Sequence, residues 1–413
     1  MKTFVQYGAG NIGRGFIGQL FSQGGYDVKF IEVNPQVISL LNSEGSYPVT
    51  VVDGDKKEDI LVERVSAVDG KDEELVARTI AGADAMATAI GVNILPLIAG
   101  TIAKGIILRY ERGMTRPLDI IICENMLDAD KYLSKLIREK LNSEQEKYFD
   151  KYIGLVEASI GKMVPLMTEE QRKENPLRVH VEKYNQLPVD KDAFKGEIPD
   201  IPGIFPFSPF TFYLERKLLI HNMGHAMTAY LGDFTGVDYI YQSIGNSEIK
   251  LIVLNAMMES ALALSKKFKI EFNNLYEHII DLLNRFSNYA LGDTVNRVGH
   301  DVKRKISSED RFVAAIRLCE QEGLDSVYIP AGIACSLFFR KAGDTNSAEL
   351  FSDLDQHGPA YILENYCKIL SSDNIHSMII DYYTFLKRGA SITDLLKHIE
   401  DKKRQLNKDK VII

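Results

Sequence analysis

The chain opens on a short apolar strand pattern, Lys2-Thr-Phe-Val-Gln-Tyr7, which runs directly into Gly8-Ala9-Gly10-Asn11-Ile12-Gly13 and then into the helical pattern Arg14-Gly-Phe-Ile-Gly-Gln-Leu-Phe21. A Gly-x-Gly-x-x-Gly that ends a strand and opens a helix constrains the start of the chain to a β-α-β unit that cradles a dinucleotide. Gly8 permits the tight turn, Gly10 lets the backbone approach a pyrophosphate, and Gly13 lets the helix pack closely on the sheet. The helix N-terminus adds backbone N–H donors and a partial positive charge, so Ala9, Asn11 and Ile12 complete the cradle. The next strand pattern, Asp27-Val-Lys-Phe-Ile-Glu32, ends on a carboxylate 22 residues after Gly10. That is close to the spacing of about 20 for the group that binds the adenosine ribose. A carboxylate there accepts from a 2′-hydroxyl and repels a 2′-phosphate, so NAD is the expected cofactor. Ala89 and Gly91, at the end of the apolar run Ala85–Ala89, are expected to line the same site.

At 413 residues and 45% hydrophobic content, the chain is longer than one domain usually grows. The net charge of −8 argues against broad nucleic-acid binding while leaving room for a local basic pocket. Cys123, Cys319, Cys335 and Cys367 are far apart and form no Cys-x-x-Cys pair, so neither a disulfide framework nor a metal is expected. Met1 is followed almost at once by the first strand, and no uninterrupted apolar run reaches spanning length. The expectation is a cytoplasmic protein, monomeric or a small homo-oligomer, with no membrane contact.

Along the first half, strand-like and helix-like segments alternate: Ala85–Ala89 and Asp119–Cys123 are apolar runs, and Lys131–Leu141 has helical spacing. This predicts an α/β fold with a Rossmann doubly wound sheet, to which Ile153–Ala158 and the alternating Arg178–Tyr184 add strands, antiparallel at the edge. Pro199, Pro202, Pro206 and Pro209 crowd the following stretch, which reads as an interdomain connection. From Phe210 the strand signal vanishes, and Ser247–Lys267, Leu275–Tyr289, Asp310–Glu322 and Ile375–Lys387 show helical periodicity. The predicted division is a dinucleotide-binding domain over 1–198 and a mostly helical domain over 199–413. The basic tail Lys402–Lys410 reads as a solvated, fraying terminus.

The second segment that carries chemistry is Lys217-Leu-Leu-Ile-His221-Asn222-Met-Gly-His225. At about 100° per residue, Asn222 falls roughly 140° and His225 roughly 80° around an α-helix from Lys217, which places all three on one wide face. A lysine on an otherwise apolar helix loses hydration, which favours its neutral form and makes it a general base. Asn125 follows the apolar strand Ile120–Cys123, at the strand end where loops face a nicotinamide. Side-chain amides suit the oxygen of a carbinol under oxidation, because they donate N–H groups without adding a competing base. Glu124 is open to two readings: partner or proton relay for the lysine, or a solvated loop carboxylate.

Taken in order, Gly-Ala-Gly-Asn-Ile-Gly-Arg-Gly-Phe-Ile-Gly, Cys123-Glu-Asn125-Met, Glu215-Arg-Lys217-Leu-x-x-x-Asn222-x-Gly-His225-Ala-x-Thr-Ala-Tyr-Leu-Gly232 and Arg297-Val-Gly resemble the polyol-specific long-chain dehydrogenases over nearly the whole chain. The resemblance implies a metal-independent enzyme with a Rossmann domain, a helical C-terminal domain and a cleft site. The matching lysine, Lys217, is then the general base, Asn125 and Asn222 hold the developing alkoxide, and His225 orients substrate hydroxyls. It further implies interconversion of a sugar alcohol phosphate and its keto sugar phosphate, mannitol 1-phosphate and fructose 6-phosphate.

The segment Arg297-Val-Gly-His300-Asp-Val-Lys303-Arg304-Lys305 concentrates cations in an acidic chain, so Arg297, His300, Arg304 and Lys305 are expected to hold an anionic substrate group. Three positions depart from the family. Gly161 precedes Lys162 where an acidic substrate contact is usual, His300 stands where the phosphate enzymes carry arginine, and His221 replaces an apolar residue, its charge able to lower the pKa of Lys217. The departures leave open reduction of a keto-uronate, oxidation of an unphosphorylated polyol and, outside catalysis, an NAD-binding sensor.

Overall fold

The computed structural model describes residues 2–165, 167, 169–341 and 343–411. It divides into two compact units, Met1–Leu214 and Glu215–Ile413.

The first unit contains strands β1 (Thr3–Tyr7), β2 (Asp27–Glu32), β3 (Ser46–Asp53), β4 (Lys56–Glu63), β5 (Val65–Asp69), β6 (Ala85–Thr88), β7 (Leu118–Ile122), β8 (Ile153–Glu157), β9 (Val179–Val181), β10 (Leu187–Asp190) and β11 (Ile204–Phe207). Its main sheet is wholly parallel, in the order β5-β2-β1-β6-β7-β8. Counted within that sheet the order is 3-2-1-4-5-6, the doubly wound arrangement, and the strand order reverses between β1 and β6. Alternation along the strands covers both faces. Phe4, Phe30, Ala87 and Ile121 pack into one buried cluster, and Val5, Ile31, Met86 and Ile120 into the other.

Three expectations for this unit change. The edge strand β8 pairs parallel with β7, and Val179–Val181 leaves the main sheet to form the separate order β4-β3-β9, parallel to β3. Val179 and Val181 are drawn there because they pack on Gly15 of the first helix, where a β-carbon would come within 2.7 Å and 2.9 Å of them. The proline-rich stretch is part of the unit, since Ile204–Phe207 pairs with Leu187–Asp190; the units divide after Leu214, not after residue 198. Finally, 92–111 is apolar enough by length and composition to cross a membrane, although Ile98, Ile102 and Ile106 are spent against the sheet.

Of the second unit, the helices Ser247–Phe268, Phe272–Phe286, Arg311–Gln321 and Asn374–Lys387 match their predicted periodicity to within a few residues. The tail does not fray: Ile392–Val411 is one helix, with Lys402 paired to Asp381 at 3.1 Å and Lys403 over the Tyr328 ring at 5.1 Å. All four cysteines are buried free thiols.

Candidate active site

The glycine turn lies at the C-terminal ends of β1, β2 and β6. Gly8 has φ +93°, and a β-carbon on it would meet the Ala89 carbonyl oxygen and Ile90 at 2.7 Å. Gly13 lies against the Gly8 carbonyl, so the turn and the helix entry demand both glycines. Gly10 differs. Its φ is ordinary, it is exposed, and a β-carbon there would meet nothing within 4 Å. Neither backbone nor packing explains glycine at that position, whereas the close approach of a ligand does.

Glu32 ends β2 as expected. Its Oε2 accepts from Ala9 N at 3.1 Å, and its Oε1 accepts from Val33 N and Asn34 N at 2.8 Å and 3.0 Å, which fixes the carboxylate over the glycine turn. Arg14, in the first turn of the helix, is 7% exposed, and neither Nε nor Nη1 has a hydrogen-bond partner among the described residues. Burial lowers its pKa, against the opposing pull of Tyr47 and Glu32. A buried guanidinium with two unused donors fits an anion such as a cofactor phosphate. The motif names Arg14, but only its burial marks it out.

Asn125 is exposed in the loop after β7, next to the buried Glu124. Glu124 is neither a solvated carboxylate nor one held by a lysine: its two oxygens accept from Ile90 N at 3.0 Å and Gly91 N at 2.8 Å. The backbone amides of half-buried Ile90 and exposed Gly91 satisfy it, which removes the relay reading. The same contact fixes the backbone at Ala89–Gly91, beside the Gly8 turn.

Thr211–Arg216, whose last two residues open the second unit, and Met223–Phe234 are α-helical, but Lys217–Asn222 between them is a π-helical segment, not the uniform α-helix expected. An i→i+5 ladder advances by roughly 4.4 residues per turn, so Asn222 moves from about 140° to about 50° from Lys217, and His225 to within about 10°. The wide face becomes a narrow stripe. From Leu219 to Gly232 every residue is buried except Asn222 and His225, and Lys217 is likewise half-buried. Gly224 keeps the segment tight against Ser247–Phe268, where a β-carbon would meet Met257 Sδ at 2.6 Å.

His225 stacks on Phe286 with ring centroids 4.8 Å apart and planes 11° apart. Its Nε2 lies 3.0 Å from Asp293 Oδ2, close but with the N–H direction outside hydrogen-bond alignment. Burial holds the His225 pKa below its ordinary value despite the carboxylate. His221 is fully enclosed beside Phe286, and burial together with Arg285 depresses its pKa strongly. It is therefore neutral at working pH and exerts no charge on Lys217, contrary to the sequence expectation.

The four expected anion-binding residues separate into two kinds. Arg297 is exposed, although its Nε and Nη2 donate to Asp293 Oδ1 at 2.8 Å and 2.5 Å; His300 is half-exposed, with Nε2 3.8 Å from Asp344 Oδ1. Arg304 pairs with Asp301 at 2.6 Å and Asp310 at 2.9 Å. Lys305 is buried, its Nζ donating to the Val298 carbonyl at 2.7 Å and to the His300 carbonyl. Asp293 carries no sequence motif of its own. Its i,i+4 spacing to Arg297 is the one signal that could have found it.

Burial, aided by Arg311 and Arg304, pulls the Lys305 pKa down to about 7. An amine has a neutral form with two N–H groups, which is what its two carbonyl acceptors require. Between that value and the unfolded lysine's value of about 10.4, the unfolded chain binds one more proton, so stability must rise with pH. The expected slope is up to about 1.4 kcal/mol per pH unit from this group. Denaturant midpoints measured from pH 7 to pH 9.5 should climb in the wild type, with that component missing from Lys305→Met; parallel curves for the two proteins would refute the assignment.

Residues 2–203 match the family model for the mannitol dehydrogenase Rossmann domain, and residues 210–394 match that for the mannitol dehydrogenase C-terminal domain. Among solved structures, a D-sorbitol dehydrogenase in substrate-free form is 14% identical, with a TM-score of 0.81 over 96% of this chain and 95% of that one. Mannitol 2-dehydrogenase of Pseudomonas fluorescens, in ternary complex with NAD and D-mannitol, is 15% identical, with a TM-score of 0.70 over 97% and 94%. At these identities the two structures establish a shared fold.

Proposed function

We propose that this chain, which belongs to the mannitol dehydrogenase family, interconverts a sugar alcohol phosphate and its keto sugar phosphate, with mannitol 1-phosphate and fructose 6-phosphate as the pair and Lys217 as the general base. Membership of the family makes it a polyol dehydrogenase that uses NAD. The observation behind this reading is the π-helical stripe, which gathers a lysine, an amide and an imidazole at half-buried positions, the last two within a run from Leu219 to Gly232 that is otherwise buried.

NAD, when bound, accepts a hydride from the carbinol carbon. Gly8, Gly10, Gly13 and Arg14 would hold its phosphates and Glu32 its ribose. Hydride departs only as the hydroxyl proton is removed, and Lys217 Nζ takes that proton. Asn222 and Asn125 donate to the oxygen as negative charge builds on it, and His225 holds a neighbouring hydroxyl. Arg297 supplies the positive charge for the phosphate and His300 a ring nitrogen beside it, with Lys305 fixing the backbone that carries them.

One observation favours a second reading. Arg304 and Lys305 are taken up by carboxylates and carbonyls, which leaves fewer cations than a phosphate dianion commonly draws. A singly charged carboxylate suits that surface, as in a keto-uronate reductase.

The test is oxidation of mannitol 1-phosphate and of mannitol with NAD or NADP. The phosphate ester with NAD should give the highest kcat/KM. Equal use of NADP would refute the Glu32 reading, and failure to oxidise either polyol with either cofactor would refute the function.

A further inference from the structure

Asp293 stands between two groups assigned to the substrate and touches both. Oδ2 lies 3.0 Å from His225 Nε2, and Oδ1 accepts from Arg297 Nε at 2.8 Å and Nη2 at 2.5 Å. Its side chain is 9% exposed, and at 3.0 Å no water fits between carboxylate and imidazole. Its backbone is fixed as well: Ile240 N donates to the Asp293 carbonyl at 2.9 Å, Val295 N to the Asp238 carbonyl at 2.8 Å, and Tyr239 and Thr294 form an antiparallel bridge. Thr294 then caps the short helix that carries Arg297, accepting from Arg297 N at 3.2 Å.

We infer that Asp293 is a positioning residue that sets the His225 tautomer and orients Arg297 in the same step. The inference rests on the reading of His225 as a substrate contact. Burial alone would raise the Asp293 pKa, but the imidazole and guanidinium on either side hold it below the usual carboxylate value, so it is an acceptor at both oxygens. The anionic Oδ2, 3.0 Å from Nε2 though off the N–H axis, favours the tautomer that carries its proton on that nitrogen. Nδ1 is left unprotonated, able to accept from a substrate hydroxyl. The other charged groups that bear on this imidazole, Arg297 and Lys305, both disfavour its cation, and His221 is itself neutral.

The variant Asp293→Asn makes a prediction that a merely structural carboxylate does not. Arg297 has only donors, so the new amide must turn its oxygen to the guanidinium and its NH2 to the imidazole. His225 Nε2 then has to accept, and the proton moves to Nδ1, the wrong tautomer for a hydroxyl acceptor, as when a triad aspartate is amidated. Removing the guanidinium releases the constraint: in Asp293→Asn combined with Arg297→Met, the amide can turn back.

The experiment is 15N NMR of the full-length protein labelled at histidine, with His225 assigned from the spectrum of His225→Asn. The expected result is Nε2–H in the wild type, Nδ1–H in Asp293→Asn and Nε2–H again in the double variant. In steady-state assays of Asp293→Asn, kcat should fall about 10²-fold or more with a smaller change in KM. Nδ1–H in the wild type, an unchanged tautomer in Asp293→Asn, or failure of the double variant to revert would each overturn the inference. The tautomer needs no turnover to be read, so an inactive protein whose tautomer switches would refute the proposed function and leave this assignment standing.

Discussion

Lys217→Ala should lower kcat for polyol oxidation by about 10²-fold or more, the scale of a lost general base, while the dissociation constant of NAD stays within a factor of two or three of wild type. The separation follows from where the groups sit. The cofactor fingerprint, Gly8 to Gly13 with Glu32, belongs to the first unit and Lys217 to the second. Lys217→Arg should restore little, because a guanidinium stays protonated at any accessible pH. In the wild type, kcat/KM should rise with pH through one ionisation below the lysine reference of about 10.4. His221 cannot mimic it, being held neutral by burial. Lys305, with a pKa of about 7, is the group that could, so Lys305→Met must retain the ionisation. Near-normal turnover by Lys217→Ala would remove the lysine from the mechanism and return the π-helical segment to a packing role.

Gly10→Val should uncouple cofactor affinity from stability. A β-carbon at position 10 meets nothing within 4 Å and the position is exposed, so the change in unfolding free energy should stay within about 0.5 kcal/mol, as for an exposed substitution. The same side chain would occupy the space a pyrophosphate needs. An overpacked contact costs about 1–3 kcal/mol, which is roughly a 5- to 150-fold rise in the dissociation constant. Gly13→Ala gives the opposite pattern: its methyl would strike the Gly8 carbonyl, so stability and affinity should fall together. Titrating NADH by fluorescence, with thermal melts of the same samples, separates the two. Unchanged NADH affinity in Gly10→Val would mean that no phosphate passes over this turn.

The sequence was most informative where local pattern and fold agree. The strand, glycine turn and helix at residues 2–21 and the carboxylate at Glu32 could be placed because each is a short-range signal with one geometric solution. The helices of the second unit were readable from periodicity for the same reason. Long-range choices were not. The pattern of Arg178–Tyr184 marks a strand but does not say which sheet takes it, and the parallel pairing of Val179–Val181 with β3 is decided by packing on Gly15. The π-helical turn at Lys217–Asn222 escaped because hydrophobic spacing read at 3.6 residues per turn assumes the regularity that this segment breaks. Charge composition misled in a different way. Nine residues rich in cations read as one anion site, yet Arg304 is committed to the carboxylates of Asp301 and Asp310 and Lys305 to backbone carbonyls, contacts that a count of charges does not register. Asp293 stayed out of view because its importance lies in touching His225, 68 residues earlier in the chain.

Whether the chain reduces an anionic keto sugar with NADH is decided by comparing kcat/KM for fructose 6-phosphate, fructose, tagaturonate and fructuronate at pH 7. Fructose 6-phosphate should come first, ahead of fructose by at least about 10-fold, the equivalent of about 1.4 kcal/mol from the Arg297 contact. A lead of tagaturonate or fructuronate would transfer the site to a carboxylate, and equal rates for fructose and fructose 6-phosphate would contradict the phosphate reading outright.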